Sequence, residues 1–125
     1  MVVDNAAGED PDFGEFMMNA VIVHPEYLKS NGETIRRFNR ALHKASNWLL
    51  DHPAEDAVPS MKQFLGRLDD KDILEGLRKT RQGIPRSPRI TERSVALTTD
   101  FMLKIGALKS RIPYDKPVTN EYLPK

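Results

Sequence analysis

The stretch DPDFGEF, Asp10 to Phe16, gathers residue types able to hold a ligand. Asp12 and Glu15 offer carboxylates, Phe13 and Phe16 offer rings, and a glycine lies between them. The stretch stands just ahead of an apolar run, and loops that enter a sheet are where α/β proteins bind ligands. A solvated acidic N-terminus has the same composition and is the plainer reading. Other chemistry finds little support. His24, His43 and His52 match no helical ligand-pair spacing, so no metal site is expected. No serine sits in a nucleophile elbow. The 7 glycines are scattered at element ends and build no phosphate loop. Asp69, Asp70 and Asp72 are accounted for by helix capping, and no carboxylate pair suggests general acid and base roles. The sequence therefore predicts no catalytic residue, no metal and no cofactor.

Two further signals have plain structural readings. Arg78, Lys79, Arg81, Arg86, Arg89 and Arg93 form a basic stretch relieved only by Glu92. It could grip phosphate, but Arg78 to Arg81 suit a helix C-terminus. No aromatic residue interleaves with the charges, so nucleic-acid binding is not expected. Trp48 neighbours the apolar Leu49 and is expected to pack in a core, with ligand stacking as the alternative.

The elements that must position these residues follow from periodicity. Residues 1–15 read as loop. FMMNAVIV, residues 16–23, is short, apolar and rich in β-branched residues, which predicts a buried strand. Pro25 can start a turn of helix. SNGE, Ser30 to Glu33, has the capping-box pattern and opens a predicted helix over 31–51, with Ile35, Phe38, Leu42, Ala45 and Leu49 on one face. The helix must stop before Pro53. A second helix is predicted over 54–65, with Ala57, Met61, Phe64 and Leu65 inward and Pro59 kinking or interrupting it. Asp69 caps a third over 69–82, with Ile73, Leu74 and Leu77 inward. Thr91 caps a fourth over 91–106, with Val95, Thr98, Phe101, Met102 and Ile105 on one side and a stop at Gly106. Residues 107–125 carry three prolines among Tyr114, Val118, Tyr122 and Leu123, which predicts a docked tail. A single strand cannot pair with itself, so its ladder partners must come from outside this set of elements.

The totals bound the answer. The chain has 125 residues, 39% hydrophobic and 30% charged, with a formal charge of +1 and no cysteine. That composition suits one domain or part of one, with a modest core and no disulfide or thiolate chemistry. The first sixteen residues hold five acids and no base, unlike a signal peptide. No run approaches ~20 apolar residues, so membrane insertion is not expected.

The order of motifs resembles the C-terminal third of ABC-transporter substrate-binding proteins of the nitrate/sulfonate/taurine type, which share a superfamily with thiamine-pyrimidine synthases. The likeness lies in Tyr27-Leu28-Lys29, Asn31, Glu33-Thr34, Arg37-Phe38, Arg40-Ala41-Leu42 and His52-Pro53-Ala54-Glu55. It resumes at Gly106-Ala107-Leu108, Ile112-Pro113-Tyr114-Asp115 and Val118 to Pro124, and covers roughly residues 13 to 125. The resemblance implies a two-lobed α/β periplasmic-binding (type II) fold, of which this chain carries the mostly helical C-terminal part with one short strand. It implies a small organic or anionic ligand, an ABC permease as partner, a periplasmic location and no enzyme activity. It also places Asp12, Phe13, Glu15 and Phe16 beside the ligand cleft. The chain departs from the pattern in lacking the first-lobe core and a secretion signal, and in Pro59; taken literally it would be cytoplasmic. Its lone strand and uncovered helix faces lead the chain to be expected to self-associate, most simply as a homodimer; the alternative functions are a stand-alone helical homo-oligomeric interaction protein and a relative of the pyrimidine synthases.

Overall fold

The computed structural model describes residue 17 and residues 19–124. Among these residues the chain is helical, with no strand. The first helix, α1, runs Pro25–Asp51. A 3-10 turn at Ala54–Ala57 leads into α2, Val58–Lys62. Then come α3, Asp70–Gly83, and α4, Glu92–Lys104. Irregular chain with short turns follows to Pro124.

The predicted strand over 16–23 does not form in the described residues: 17 and 19–23 run as irregular chain. Its sequence suits a sheet, but a strand is defined by its ladder, and no other segment among the described residues offers one. Val21 and Ile22 are left 43% and 93% exposed.

α1 begins six residues ahead of the expected start. Pro25 occupies the first turn, where its missing N–H costs nothing, and His24 Nδ1 accepts from the Glu26 N–H at 3.3 Å. The capping-box signal at Ser30 marks a kink instead of an end. Asn31 leaves helical geometry at φ −128°, ψ 24°, and its side-chain amide donates to the Tyr27 carbonyl at 3.0 Å. At the other end the His52 N–H returns to the Trp48 carbonyl, and the His52 ring stacks on Trp48 with centroids 4.5 Å apart. Pro53 ends the helix.

Pro59 splits the predicted second helix into the 3-10 turn and α2. Proline cannot donate to the preceding turn, so it is tolerated only near a helix start, where it sits in α2. α2 ends at Lys62, and Phe64, expected inward, is 82% exposed. Asp69 caps α3 by accepting from the Asp72 N–H at 2.8 Å. Thr91 and Ser94 cap α4 reciprocally. α4 closes in a Schellman turn: Gly106 takes φ 75°, its N–H reaches Leu103, and the Ala107 N–H reaches Met102.

The core is small. Ala54, Ala57, Ile73 and Leu77 are buried together, with Leu49, Val58, Met61 and Leu74 packed around them. α3 lies on the 3-10 turn and α2 in this corner. α4 contributes Val95 and Thr99 as separate buried residues. None of α1's 27 residues is buried. Phe38, Leu42 and Trp48 are 53%, 48% and 41% exposed.

Candidate functional site

Two features of the described surface have the chemistry of a site: the seat of the tail between α1 and α4, and the open face of α1. The tail is seated on α1 by one row of residues spaced three and four apart, Gly32, Arg36 and Asn39. Gly32 admits the Tyr122 ring; a Cβ there would lie 2.8 Å from Tyr122 Cε1. Arg36 stands over the same ring, 4.8 Å from its centroid, and donates to the Glu121 carbonyl at 2.7 Å. Asn39 donates to the Tyr122 carbonyl at 3.1 Å.

The other end of the tail is fixed ahead of α4. Asn120 holds both backbone groups of Ile90: its Oδ1 accepts from the N–H at 3.1 Å and its Nδ2 donates to the carbonyl at 3.0 Å. The Tyr114 hydroxyl donates to the same carbonyl at 2.7 Å and accepts from Asn120 Nδ2 at 2.7 Å. Arg111 then pairs with Asp100 on α4 at 2.6 Å. Few direct contacts join α1 to α4, so the tail links them.

Beside this seat lies a concavity of about 330 Å³. Val95 and Thr99 line it from α4, and Arg111, Ile112 and Tyr114 line it from the tail. Its size is at the lower end for small-molecule sites. Arg111 and the Tyr114 hydroxyl already have partners, so the polar groups hold the tail in place. Four of the six cations of the basic stretch are likewise occupied. Arg78 pairs with Glu55, Arg86 with Asp51 at 2.6 Å, and Lys79 with Glu75 at 3.3 Å. Arg81 donates to the Leu50 carbonyl at 2.9 Å. Arg81 and Arg86 tie α3 and the following loop to the end of α1, and Arg78 ties α3 to the 3-10 turn. The Glu55 carboxyl is held below its usual range by its own backbone N–H and by the Arg78 guanidinium.

Asp12, Phe13, Glu15 and Phe16 lie outside the described residues. Trp48, expected in the core, is on the surface against His52. Gly32 and Asn39 were not singled out by sequence reasoning. A glycine inside a helical pattern is the one available signal, since it marks a close approach by something else. No group of His, Asp or Glu among the described residues is arranged to hold a metal ion. No helix among them is long and apolar enough to cross a membrane.

Comparison with known proteins identifies the relatives. Residues 6–56 match the family described as NMT1/THI5 like. The chain is 30% identical over 115 residues to the protein named "Putative binding protein YtlA" of Bacillus subtilis (strain 168). That match covers 90% of this chain and 34% of the relative, so the chain spans about a third of that protein's length. No solved structure matches the chain significantly. By the family match over residues 6–56, the similarity to a protein named as a binding protein and the order of its motifs, the chain is similar to the NMT1/THI5-like family and to one third of a binding protein.

Proposed function

We propose that this chain is the C-terminal part of a solute-binding protein that holds a small organic or anionic ligand, of the nitrate, sulfonate or taurine kind, and delivers it to an ABC importer at the outer face of the membrane. The observation that carries this reading is the match of nine tenths of the chain to one third of a protein named as a binding protein. The helical architecture, with a 27-residue helix none of whose residues is fully buried, fits a piece whose packing partner lies elsewhere. In this reading the chain supplies one wall of a two-lobed cleft, with Asp12, Phe13, Glu15 and Phe16 at its edge, and performs no catalysis. A second reading, a stand-alone homo-oligomeric interaction protein, draws on the exposed face of α1.

One wall of a cleft buries too little of a small ligand for useful affinity. Calorimetry should therefore find no saturable binding of nitrate, taurine, alkanesulfonates or pyrimidines to the chain alone below about 1 mM. Binding is expected once the other two thirds of the relative precede the chain in a single polypeptide. Saturable binding by the chain alone, or none by the completed polypeptide, refutes the proposal.

A further inference from the structure

We propose that the concavity between α4 and the tail is a ligand site of its own, for a small hydroxy acid with an apolar body. The site is formed by described residues of this chain and does not depend on the function proposed above.

α4 lays one stripe along the concavity. Val95, Ala96 and Thr99 stand three, four and seven residues on from Glu92, so the four share a face. Arg111 and Ile112 close the space from the tail. Val95 and Thr99 form its bottom, both 6% exposed, and the exposed Glu92, Arg93 and Arg111 form its rim. The volume of about 330 Å³ suits a ligand of one ring or a short branched chain.

The Thr99 hydroxyl carries the inference. A helical threonine can bond to the carbonyl of the preceding turn. Thr98 does so, donating to the Ser94 carbonyl at 2.8 Å. The Thr99 side chain makes no such bond, nor any other to a described residue. Among the described residues every side-chain oxygen or nitrogen shut off completely has a partner, so the Thr99 hydroxyl opens onto space. The concavity is the space it lines. A polar group set so deep needs a hydrogen-bonding partner. A ligand hydroxyl is one, because it both donates and accepts. A charged group at that depth would lose its hydration, so the anionic end of the ligand belongs at the rim. There Arg111 holds Asp100 through Nη2 at 2.6 Å, and a guanidinium has five N–H donors in a planar fork that matches a carboxylate. Arg93 adds a second positive charge at the rim, and Glu92 opposes one of the two. Val95, Ala96 and Ile112 supply the apolar lining between the two ends.

The test titrates the full chain with 4-hydroxybenzoate by calorimetry. Benzoate and 4-hydroxybenzyl alcohol are the arms that each lack one end. Saturable 1:1 binding of 4-hydroxybenzoate is expected. Benzoate should bind about tenfold more weakly, as for the loss of one hydrogen bond. The alcohol should bind about threefold more weakly, as for the loss of an exposed ion pair, and it alone should be insensitive to salt. Thr99→Val, close to threonine in shape, should erase the preference over benzoate, and Thr99→Ser should keep it. Glu92→Gln should tighten binding about twofold. Circular dichroism checks that each variant keeps its helices. Amide shifts on binding should centre on Val95, Thr99 and Ile112. The proposal is overturned by no saturable binding, by equal affinities for benzoate and 4-hydroxybenzoate, by a preference that survives Thr99→Val, or by shifts centred elsewhere. Should Thr99→Val fail to fold, the three ligands on the unaltered chain and the map of shifts decide the matter by themselves.

Discussion

Replacing Gly32 with alanine should change sign with the state of the tail. In a helix interior, alanine in place of glycine stabilises by about 0.5–1 kcal/mol, because glycine loses more backbone entropy on folding. Against that gain stands the Tyr122 ring, whose Cε1 would lie 2.8 Å from the new Cβ. Nothing that close is tolerated, so the ring must move. Moving it weakens the Arg36 cation–π contact at 4.8 Å, about 0.5–1 kcal/mol at an exposed site. It also strains the Asn39 bond to the Tyr122 carbonyl, about 0.5–1.5 kcal/mol. Part of the ring's burial is lost as well, on the order of 1 kcal/mol. The losses outweigh the gain, and Gly32→Ala should destabilise the chain by about 1 kcal/mol. In a Tyr122→Ala background the obstruction is gone, and the same substitution should stabilise by about 0.5–1 kcal/mol. The coupling between the two sites is then on the order of 2 kcal/mol. Urea unfolding followed by helical circular dichroism measures all four proteins of the cycle. If Gly32→Ala stabilises both backgrounds equally, the tyrosine is not seated on α1 and the docked tail is wrong.

Two more perturbations test the ties between elements. Asn120→Ala leaves the Ile90 N–H and the Tyr114 hydroxyl short of partners in a half-buried place, and should cost about 1–3 kcal/mol, seen as a lowered thermal midpoint; an unchanged midpoint would remove the clamp from the account. Glu55 has a depressed carboxyl in the folded state, so its contribution is present above the usual glutamate range and is lost as pH falls through the folded value. Glu55→Gln should therefore flatten the loss of stability on acidification, and parallel urea midpoints for both proteins down the acid limb would contradict the pairing with Arg78.

The local punctuation of this fold was legible in the residues. Asp69 and Thr91 cap helices because a short side-chain oxygen reaches free N–H groups, and Gly106 stops one because it alone takes φ 75° without strain. Pro53 and Pro59 break helices wherever they fall, since a missing donor is a covalent fact. The family likeness was legible for a similar reason: motif order is written along the chain. Ser30 shows where such signals fail. Its capping pattern is genuine, but Pro25 starts the helix first and Asn31 absorbs the conflict as a kink. Tertiary structure alone decided the rest. Residues 17 and 19–23 stay irregular because pairing needs a neighbour, and no periodicity supplies one. The apolar row of α1 looks like a core face in the sequence, and Leu49 is one. Phe38 and Leu42 are exposed because burial depends on what stands opposite, and among the described residues it is Leu49, at the end of that row, that packs against the core.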